Sequence, residues 1–183
     1  MRIIAGARRG KKLATLPGEE TRPTLERMKQ AVFSAIQFEL EGRKALDLFA
    51  GSGQLGLEAL SRGAAFCWFN DFNSEALAVT HQNITACGFE KFAKESCVSY
   101  LLCAKMIEKA GYRPDLVFLD PPYRKGLLES ALGLLAPSLP SGALVAAESG
   151  AEETFSYAGL SLRKVYQSGT VKVTLLEKRE FDQ

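Results

Sequence analysis

Short apolar segments alternate with amphipathic segments along most of this chain, and this alternation restricts its fold more than any other feature. The apolar segments have the length of strands and comprise Ala45–Phe49, Phe66–Phe69, Leu116–Leu119 and Ala143–Ala147. The segments between them carry apolar residues at helical spacing and comprise Leu55–Arg62, Glu75–Ala86, Ser99–Ala110 and Leu127–Ala136. Strands that alternate with helices predict an α/β fold with a parallel sheet covered by helices on both faces.

The last part of the chain departs from this alternation. Ser161–Tyr166 and Val171–Glu177 are both strand-like, and no helical segment separates them. The residues between them, Gln167 to Thr170, have the composition of a turn. We therefore predict a hairpin here, and two antiparallel strands at this end of the sheet.

The first part of the chain also differs from the rest. It begins with a hairpin-like piece rich in Gly and Arg and continues into a predicted helix, with Thr24 as N-cap, that ends near Leu40 before Gly42. We therefore divide the chain into a small N-terminal extension, residues 1–43, and a main domain, residues 44–183.

Basic side chains are concentrated in the N-terminal extension. The whole chain has a formal net charge of only +2, but its first 30 residues hold eight basic and three acidic side chains, a net charge of +5, which leaves −3 for the other 153 residues. Four of the basic residues lie close together: Arg8, Arg9, Lys11 and Lys12. This clustering favours a polyanionic partner such as RNA, whose phosphates such residues would contact, although a solvated basic end has the same composition.

The overall composition is that of a globular domain. With 183 residues, 46% of them hydrophobic and 24% charged, the chain can bury a core without disulfides or metal. No apolar run approaches the ~18 residues of a membrane span, and the first residues do not resemble a signal peptide, so we expect a cytoplasmic protein with no membrane contact. The only histidine, His81, excludes a histidine-based triad or a multi-histidine metal site, and we expect no metal. The cysteines are scattered and are predicted to be reduced thiols: Cys67, Cys87, Cys97 and Cys103.

The segment Leu46–Gly56 joins a predicted strand to a predicted helix and contains a G-x-G-x-x-G pattern at Gly51, Gly53 and Gly56. In nucleotide-binding sheets the first glycine permits a tight turn, the second lets a ligand approach the backbone, and the third lets the helix pack closely on the strand. Asp71 ends the next strand, where a carboxylate can accept hydrogen bonds from a ribose diol. This context predicts a nucleotide-binding site rather than a structural turn.

Two ligands are compatible with this loop, NAD(P) and S-adenosylmethionine. NAD(P) would place a pyrophosphate at the start of the helix, whereas S-adenosylmethionine would place its methionine portion there. Asp47, four residues before the first glycine, would repel a pyrophosphate but would attract an ammonium and a sulfonium. The acidic residue therefore favours S-adenosylmethionine.

A second chemical site follows the Leu116–Leu119 strand, where the chain reads Asp120-Pro121-Pro122-Tyr123. Strand ends beside the switch point of a parallel sheet line the ligand crevice, so this turn is expected to face the glycine-rich loop. The two prolines stiffen the turn and present the Asp120 side chain and the Pro121 carbonyl as fixed acceptors. Tyr123 adds a ring on which a base can stack. Two acceptors and an aromatic ring suit a planar exocyclic amine.

Together these residues resemble the amino-group methyltransferases that carry a [DN]-P-P-[YFW] motif. More narrowly, the chain resembles the RsmD family, which methylates N2 of a guanine in bacterial small-subunit rRNA. The narrower resemblance rests on the following segments: Arg2–Gly6, Arg9–Leu13, Thr21–Thr24 with Glu26-Arg27 and Ala31–Phe33, Asp47–Gly53, and Leu57–Gly63. It covers nearly the full length of the chain, and its T-R-P-T segment is the most specific part.

The resemblance implies a doubly wound, mostly parallel seven-stranded sheet of the class I, Rossmann-like type. It implies that S-adenosylmethionine lies over the glycine-rich loop, that the target base is flipped against the Asp120–Tyr123 turn, and that the N-terminal extension meets the RNA. The expected substrate is small-subunit rRNA or a ribosomal assembly particle, and we expect a monomer. The reaction would be a direct displacement at the methyl group without a covalent enzyme intermediate.

Three sets of site residues follow from the motifs and the resemblance. The predicted catalytic residues are Asp120, Pro121, Pro122 and Tyr123. The predicted cofactor-binding residues are Asp47, Phe49, Ala50, Gly51, Ser52, Gly53, Gly56, Asp71, Phe72, Ser96 and Cys97. The predicted RNA-binding residues are Arg8, Arg9, Lys11, Lys12, Arg22, Thr24 and Arg27.

The chain departs from the family pattern at the cofactor edge. Asp71 stands where members usually have Glu, and Phe72 after it could pack on adenine. Ser96 stands where many members have Asp, and its hydroxyl would bind an adenine amine less strongly than a carboxylate. Two other functions are compatible with the sequence: an adenine-N6 methyltransferase, because D-P-P-Y serves both amines, and a non-catalytic RNA-binding or assembly protein on the same scaffold.

Overall fold

The computed structural model describes residues 1–16 and 23–179. Within them the chain forms five helices: α1 Pro23–Ala35, α2 Gln54–Ser61, α3 Ser74–Cys87, α4 Tyr100–Lys109 and α5 Leu127–Leu135. The same residues form one sheet with these strands: β1 Lys44–Asp47, β2 Phe66–Asn70, β3 Ala93–Ser96, β4 Leu116–Leu119, β5 Leu144–Gly150, β6 Ser161–Ser168 and β7 Val171–Glu177.

The strand order is β3-β2-β1-β4-β5-β7-β6, and the first five of these strands are parallel. Strand β7 runs antiparallel between β5 and β6, which confirms the predicted terminal hairpin. The doubly wound, mostly parallel seven-stranded sheet is therefore present. Strand β3 has no hydrophobic run, because its sequence is Ala-Lys-Glu-Ser at the sheet edge, and only its pairing with β2 reveals it.

The central strands are buried on both faces and direct alternate side chains into two cores. Along β4, Leu116 and Phe118 pack with the core that contains α1 and α2, whereas Val117 and Leu119 pack with the core that contains α4 and α5. Strand β5 alternates in the same way. Because both faces are covered, these strands read as continuous apolar runs in the sequence.

The helix predicted to run from Thr24 to Leu40 is shorter than expected and starts earlier. Helix α1 begins at Pro23, so Thr24 is its second residue and not its N-cap. The backbone leaves the helical region at Ile36 and continues into a short 3₁₀ turn, Gln37–Glu39. All four cysteines are free thiols. Among residues 1–16 and 23–179, no helix has both the length and the apolar character that crossing a membrane requires.

The hairpin-like start of the chain is fixed to helix α2 by a buried acid. A bridge pairs Arg2 with Lys12. The carboxylate of Glu58, fully buried, accepts hydrogen bonds from the backbone N–H groups of Ile4 (2.8 Å) and Ala5 (3.0 Å) and from Nε of Arg62 (2.7 Å). These partners compensate the desolvation of the charge, so the extension is attached to the main domain by specific polar contacts.

Candidate active site

The glycine-rich loop and the Asp120–Tyr123 turn lie side by side at the carboxyl end of the sheet. From β1 the chain proceeds outward to β2 and β3 on one side, whereas β4 pairs with β1 on the other side. The two strands stay hydrogen-bonded to their ends, where the Leu48 N–H donates to the Phe118 carbonyl (3.2 Å). This is the switch point at which open parallel sheets bind ligands.

The three glycines of the loop meet three different demands. Gly51 and Gly53 have φ values of +55° and +78°, which other residues adopt only with strain. A Cβ on Gly51 would meet nothing within 4 Å, so the space above it is open to a ligand. A Cβ on Gly56 would lie 2.3 Å from the Phe69 ring, which confirms that this glycine permits close packing of α2 on the sheet.

Asp47 lies beneath the loop and holds it. Its carboxylate is 1% exposed and accepts a hydrogen bond from the Gly56 N–H at 2.9 Å, in the first turn of α2. The pKa of Asp47 is raised to about 7, because the effect of burial, with a smaller contribution from the nearby Asp71, exceeds the opposite effect of the Gly56 hydrogen bond. A positive charge above the loop would therefore favour the ionised form of Asp47.

Polar side chains from α3 support the loop from the other side. The Thr80 hydroxyl donates to the Gly51 carbonyl (2.8 Å), and the Asn83 amide donates to the Ser52 carbonyl (2.9 Å). The same Asn83 amide also donates to the Ala14 carbonyl (3.0 Å) and accepts from the Ala14 N–H (2.8 Å). One buried residue thus joins the loop to the N-terminal extension.

The predicted adenosine side of the site is only partly as expected. Asp71 directly follows β2, and its carboxylate accepts hydrogen bonds from the Gly51 N–H and the Asn73 N–H, each at 2.9 Å. Phe72 is 72% exposed beside it, as a surface for an adenine ring requires, and the thiol of exposed Cys97 contacts the Phe72 carbonyl. Phe49 and Ala50 lie at the start of the loop, where Phe49 packs on Tyr100.

Ser96 is placed differently from the expectation. Its hydroxyl accepts from the Trp68 indole (3.0 Å) and donates to the Asn70 amide oxygen (2.8 Å), and the residue is buried. Its one hydrogen and one of its two acceptor positions are therefore used inside the sheet, where the hydroxyl orders the sheet edge. Binding of an adenine amine by Ser96 stays a prediction.

The Asp120–Tyr123 turn is joined to the end of β5 by Glu148, which the sequence analysis did not single out. Leu119 of β4 is in register with Ala147 of β5, so Asp120 and Glu148 are neighbours one residue further along. The Tyr123 hydroxyl donates to the Glu148 carboxyl, and Asp120 and Glu148 share a side-chain hydrogen bond. Burial raises the pKa of Glu148, and burial together with the Glu148 hydrogen bond raises the pKa of Tyr123.

A small, partly open cavity separates this turn from helix α1 and the start of α2. Its polar walls are formed by Lys29, Gln54, Asp120 and Glu148, and its apolar walls by Val32, Leu55, Phe118, Leu119, Ala146 and Val173. Lys29 is itself buried, 3.6 Å from the Glu58 carboxylate, and burial lowers the pKa of its amine. Groups from the extension and from both chemical motifs thus meet in one cavity.

The predicted RNA-binding residues are not equivalent. Arg8 donates from Nε to the Cys87 carbonyl and stacks on the Phe89 ring, so its guanidinium already has intramolecular partners. The side chains of four others are exposed: Arg9, Lys11 and Lys12 on the hairpin-like piece, and Arg27 on α1. Arg22 lies outside the described residues, and Thr24 is placed only as a backbone position in α1.

Comparison with known proteins agrees with this architecture. The family described as conserved hypothetical protein 95 matches residues 1–177. Ribosomal RNA small subunit methyltransferase D of Escherichia coli is 34% identical over 182 residues, which cover 97% of this chain and 90% of the relative. The solved structure of yhhF from Escherichia coli has a TM-score of 0.83 and 32% identity, with 98% of each chain covered.

More distant structures share the fold alone. An RNA methyltransferase from Salinibacter ruber, solved in complex with S-adenosyl-L-homocysteine, has a TM-score of 0.67 at 13% identity, covering 88% of this chain and 97% of that one. The match over residues 1–177 and the 34% identity to the Escherichia coli relative establish the family. This chain belongs to the conserved hypothetical protein 95 family, which includes the ribosomal RNA small subunit methyltransferase D proteins.

Proposed function

We propose that this protein transfers a methyl group from S-adenosylmethionine to the exocyclic N2 amine of a guanine in small-subunit rRNA. The observation that carries the proposal is the position of the Asp120–Tyr123 turn, at the switch point of the sheet and directly beside the glycine-rich loop. The relatives named ribosomal RNA small subunit methyltransferase D support the substrate class. We place the reaction in the cytoplasm, on rRNA or an assembly particle, with the enzyme as a monomer.

The residues of the loop fit S-adenosylmethionine. Open space above Gly51 provides room for the methionine portion, and the exposed ring of Phe72 provides a surface for adenine, while the left-handed backbone of Gly53 completes the turn. Asp71 would exchange its bond to the Gly51 N–H for the ribose hydroxyls, and Asp47 below the loop would stabilise positive charge. When bound, the cofactor supplies a methyl group on a sulfonium, and the rest of the cofactor remains as a neutral thioether after the methyl group has been transferred.

The protein's contribution to the chemistry is positioning and polarisation. The Asp120 carboxylate and the Pro121 carbonyl accept hydrogen bonds from the two N–H groups of the amine. These hydrogen bonds turn the nitrogen lone pair away from the two acceptors and towards the methyl donor. The nitrogen gains one bond to carbon and releases one proton, for which Asp120 is the nearest acceptor of the turn. Tyr123, 37% exposed, offers its ring to the flipped base. Holding the reactants in line accounts for most of the acceleration.

The N-terminal extension would bind the RNA backbone. Its exposed cations include Arg9, Lys11 and Lys12, and the Asn83 bridge fixes the end of the same segment to the glycine-rich loop. Phosphate contacts made there would position the target nucleotide over the cavity beside Asp120 without reading its sequence. We keep Arg8, Arg22, Thr24 and Arg27 in the proposed RNA-binding set.

The test is transfer of labelled methyl from S-adenosylmethionine to small-subunit rRNA that lacks its native methyl groups, followed by nucleoside analysis. The proposal predicts label in N2-methylguanosine only. Label in N6-methyladenosine would assign the protein to the alternative amine, and RNA binding without any transfer in a single-turnover assay would make it a non-catalytic binding protein. Either result would refute the proposal.

A further inference from the structure

Glu148 is a half-buried acid at the candidate active site to which neither the motifs nor the proposed chemistry assigns a role. It lies on β5, one residue beyond Ala147, which is in register with Leu119 just before Asp120, and neighbouring strands are about 4.8 Å apart. In-register side chains of a parallel pair leave the same face of the sheet, so the two carboxyls project together. Their shared hydrogen bond confirms that they meet.

The surroundings of Glu148 show that it faces the space beside the turn. It forms part of the wall of the cavity under α1, together with Gln54 and Asp120. It also forms part of the wall of the groove on the outer side of the turn, which Tyr123 and Phe155 border. A base that enters beside Asp120 from either side therefore meets the Glu148 carboxyl as well.

The two purines present different edges to such a pair of acids. In guanine the N2 amine is adjacent to N1–H, so two neighbouring groups donate. In adenine the N6 amine is adjacent to an unprotonated N1, so one group donates and the other accepts. The hydrogen bond that Asp120 and Glu148 share requires one proton between them, and guanine can bind to both acids only once this proton has left to solvent. Two ionised carboxylates side by side only accept hydrogen bonds, so this form of the pair complements guanine and not adenine.

We propose that Glu148 selects guanine, by accepting a hydrogen bond from N1–H while Asp120 and the Pro121 carbonyl hold the N2 amine. This inference rests on the proposed function, since it concerns the same site and reaction. Tyr123 has a supporting part, because its hydroxyl donates to Glu148 and thereby fixes the carboxyl beside the turn. A base without N1–H would place a nitrogen lone pair against the half-buried Glu148 carboxylate. Sites built around such hydrogen bonds strongly reject analogues that lack the donor.

The decisive probe is 2-aminopurine, which keeps the exocyclic amine at C2 but has an unprotonated N1. Once the methylated nucleotide has been mapped, RNA is prepared with guanine or with 2-aminopurine at that position, and kcat/KM is measured for both. The wild-type enzyme should prefer guanine by about 100-fold or more. In Glu148→Gln, an amide can donate to N1 of 2-aminopurine, so the preference should fall at least about tenfold, which corresponds to about 1.4 kcal/mol.

Glu152→Gln is the matched control, because Glu152 is an exposed acid four residues further along, and this variant should keep the wild-type preference. A Glu148→Gln enzyme that is slower but equally selective would show that Glu148 only holds the turn, and would overturn the inference. The wild-type enzyme gives an answer without any variant, since equal use of guanine and 2-aminopurine would also overturn it. Absence of N2 methylation on guanine itself would instead refute the proposed function.

Discussion

The glycine-rich loop and the Asp120–Tyr123 turn end neighbouring strands, but they are held in place in different ways. The loop is supported by neutral side chains of α3, Thr80 and Asn83, and by one buried acid, Asp47. The turn is supported by acids of the β5 end: Glu148 binds Tyr123, and Glu153 accepts from the Arg124 N–H at 2.7 Å.

The difference separates a preorganised site from an adjustable one. Most supports of the loop are hydrogen bonds to its backbone that need not change when a ligand binds above it. The supports of the turn are carboxyls at the place where a base must enter, so they can exchange partners with that base. We infer that the loop determines cofactor affinity, whereas the turn determines catalysis and base selection.

The largest expected effect is that of Asp120→Ala. Because Asp120 acts on the amine and not on the cofactor, turnover should fall at least about 1000-fold. In Asp120→Ala, affinity for S-adenosylmethionine, measured by calorimetry, should stay within about threefold of the wild-type value, or about 0.7 kcal/mol. Asp71→Ala should instead change cofactor binding: its affinity for S-adenosylmethionine should fall about tenfold or more, because the hydrogen bonds to the ribose are lost. Weak cofactor binding with near-normal turnover in Asp120→Ala would reverse the two assignments.

Asp47→Asn should change how stability depends on pH. The folded-state pKa of about 7 lies above the ordinary value of 3.8, so the folded protein holds this proton more tightly than the unfolded chain. The stability contributed by Asp47 is therefore complete below about pH 4 and decreases as the pH rises to about 7. Asparagine cannot ionise, so this decrease should be absent, a difference of roughly 2–4 kcal/mol in the free energy of unfolding between the two pH values.

Urea unfolding of the cofactor-free protein across that pH range provides the measurement. Parallel pH profiles for the wild type and Asp47→Asn would show that Asp47 ionises at its ordinary pKa in the folded state. Protonation of Asp47 would then make no pH-dependent contribution to the stability of the fold.

Gly56→Ala should destabilise the fold by about 1–3 kcal/mol, because the added methyl would overlap the Phe69 ring and the Cys67 sulfur. Gly133→Ala on α5 is the matched control, since a Cβ there meets nothing within 4 Å and alanine favours the helix by up to about 1 kcal/mol. Chemical denaturation of both variants measures the difference. Equal stabilities would mean that α2 packs less closely on the sheet than described.

The smallest expected effect concerns RNA binding. Replacing Arg9, Lys11 and Lys12 by Ala should weaken RNA binding and lower the slope of log affinity against log salt by about two to three units, since each phosphate contact contributes about 0.7–0.9. Cofactor affinity should not change. Arg8→Ala should instead lower stability, because Arg8 binds the Cys87 carbonyl and the Phe89 ring. If the slope of log affinity against log salt does not change in the triple variant, these cations do not contact the RNA phosphates and only make the surface soluble.

The sequence predicted those parts of the molecule that depend on local pattern. The central strands, the glycine positions and the D-P-P-Y turn could be predicted because burial, positive φ and a stiff strand end each leave a signal in consecutive residues. Strand β3 could not be predicted from hydropathy, because an edge strand with one neighbour needs little apolar surface. Helix α1 ends before its predicted stop at Leu40, since the apolar residues of the following turn continue the helical pattern after the backbone has left it.

The residues whose placement the sequence did not reveal are those that act through partners distant in the chain. Ser96 faces inward because Trp68 and Asn70 bind its hydroxyl, and Glu148 reaches the active site through the pairing of β4 with β5. Glu148 directly follows the part of β5 that pairs with β4, and this position is a signal that could have been used, because the ends of parallel strands line the ligand crevice.

The most direct test of the account is the set of modified nucleosides in small-subunit rRNA from cells with and without this protein. Mass mapping should show one N2-methylguanosine that is lost when the protein is absent, restored by the wild-type chain, and not restored by Asp120→Ala. An unchanged set of methylated guanines, or the loss of a methylated adenine instead, would contradict the account.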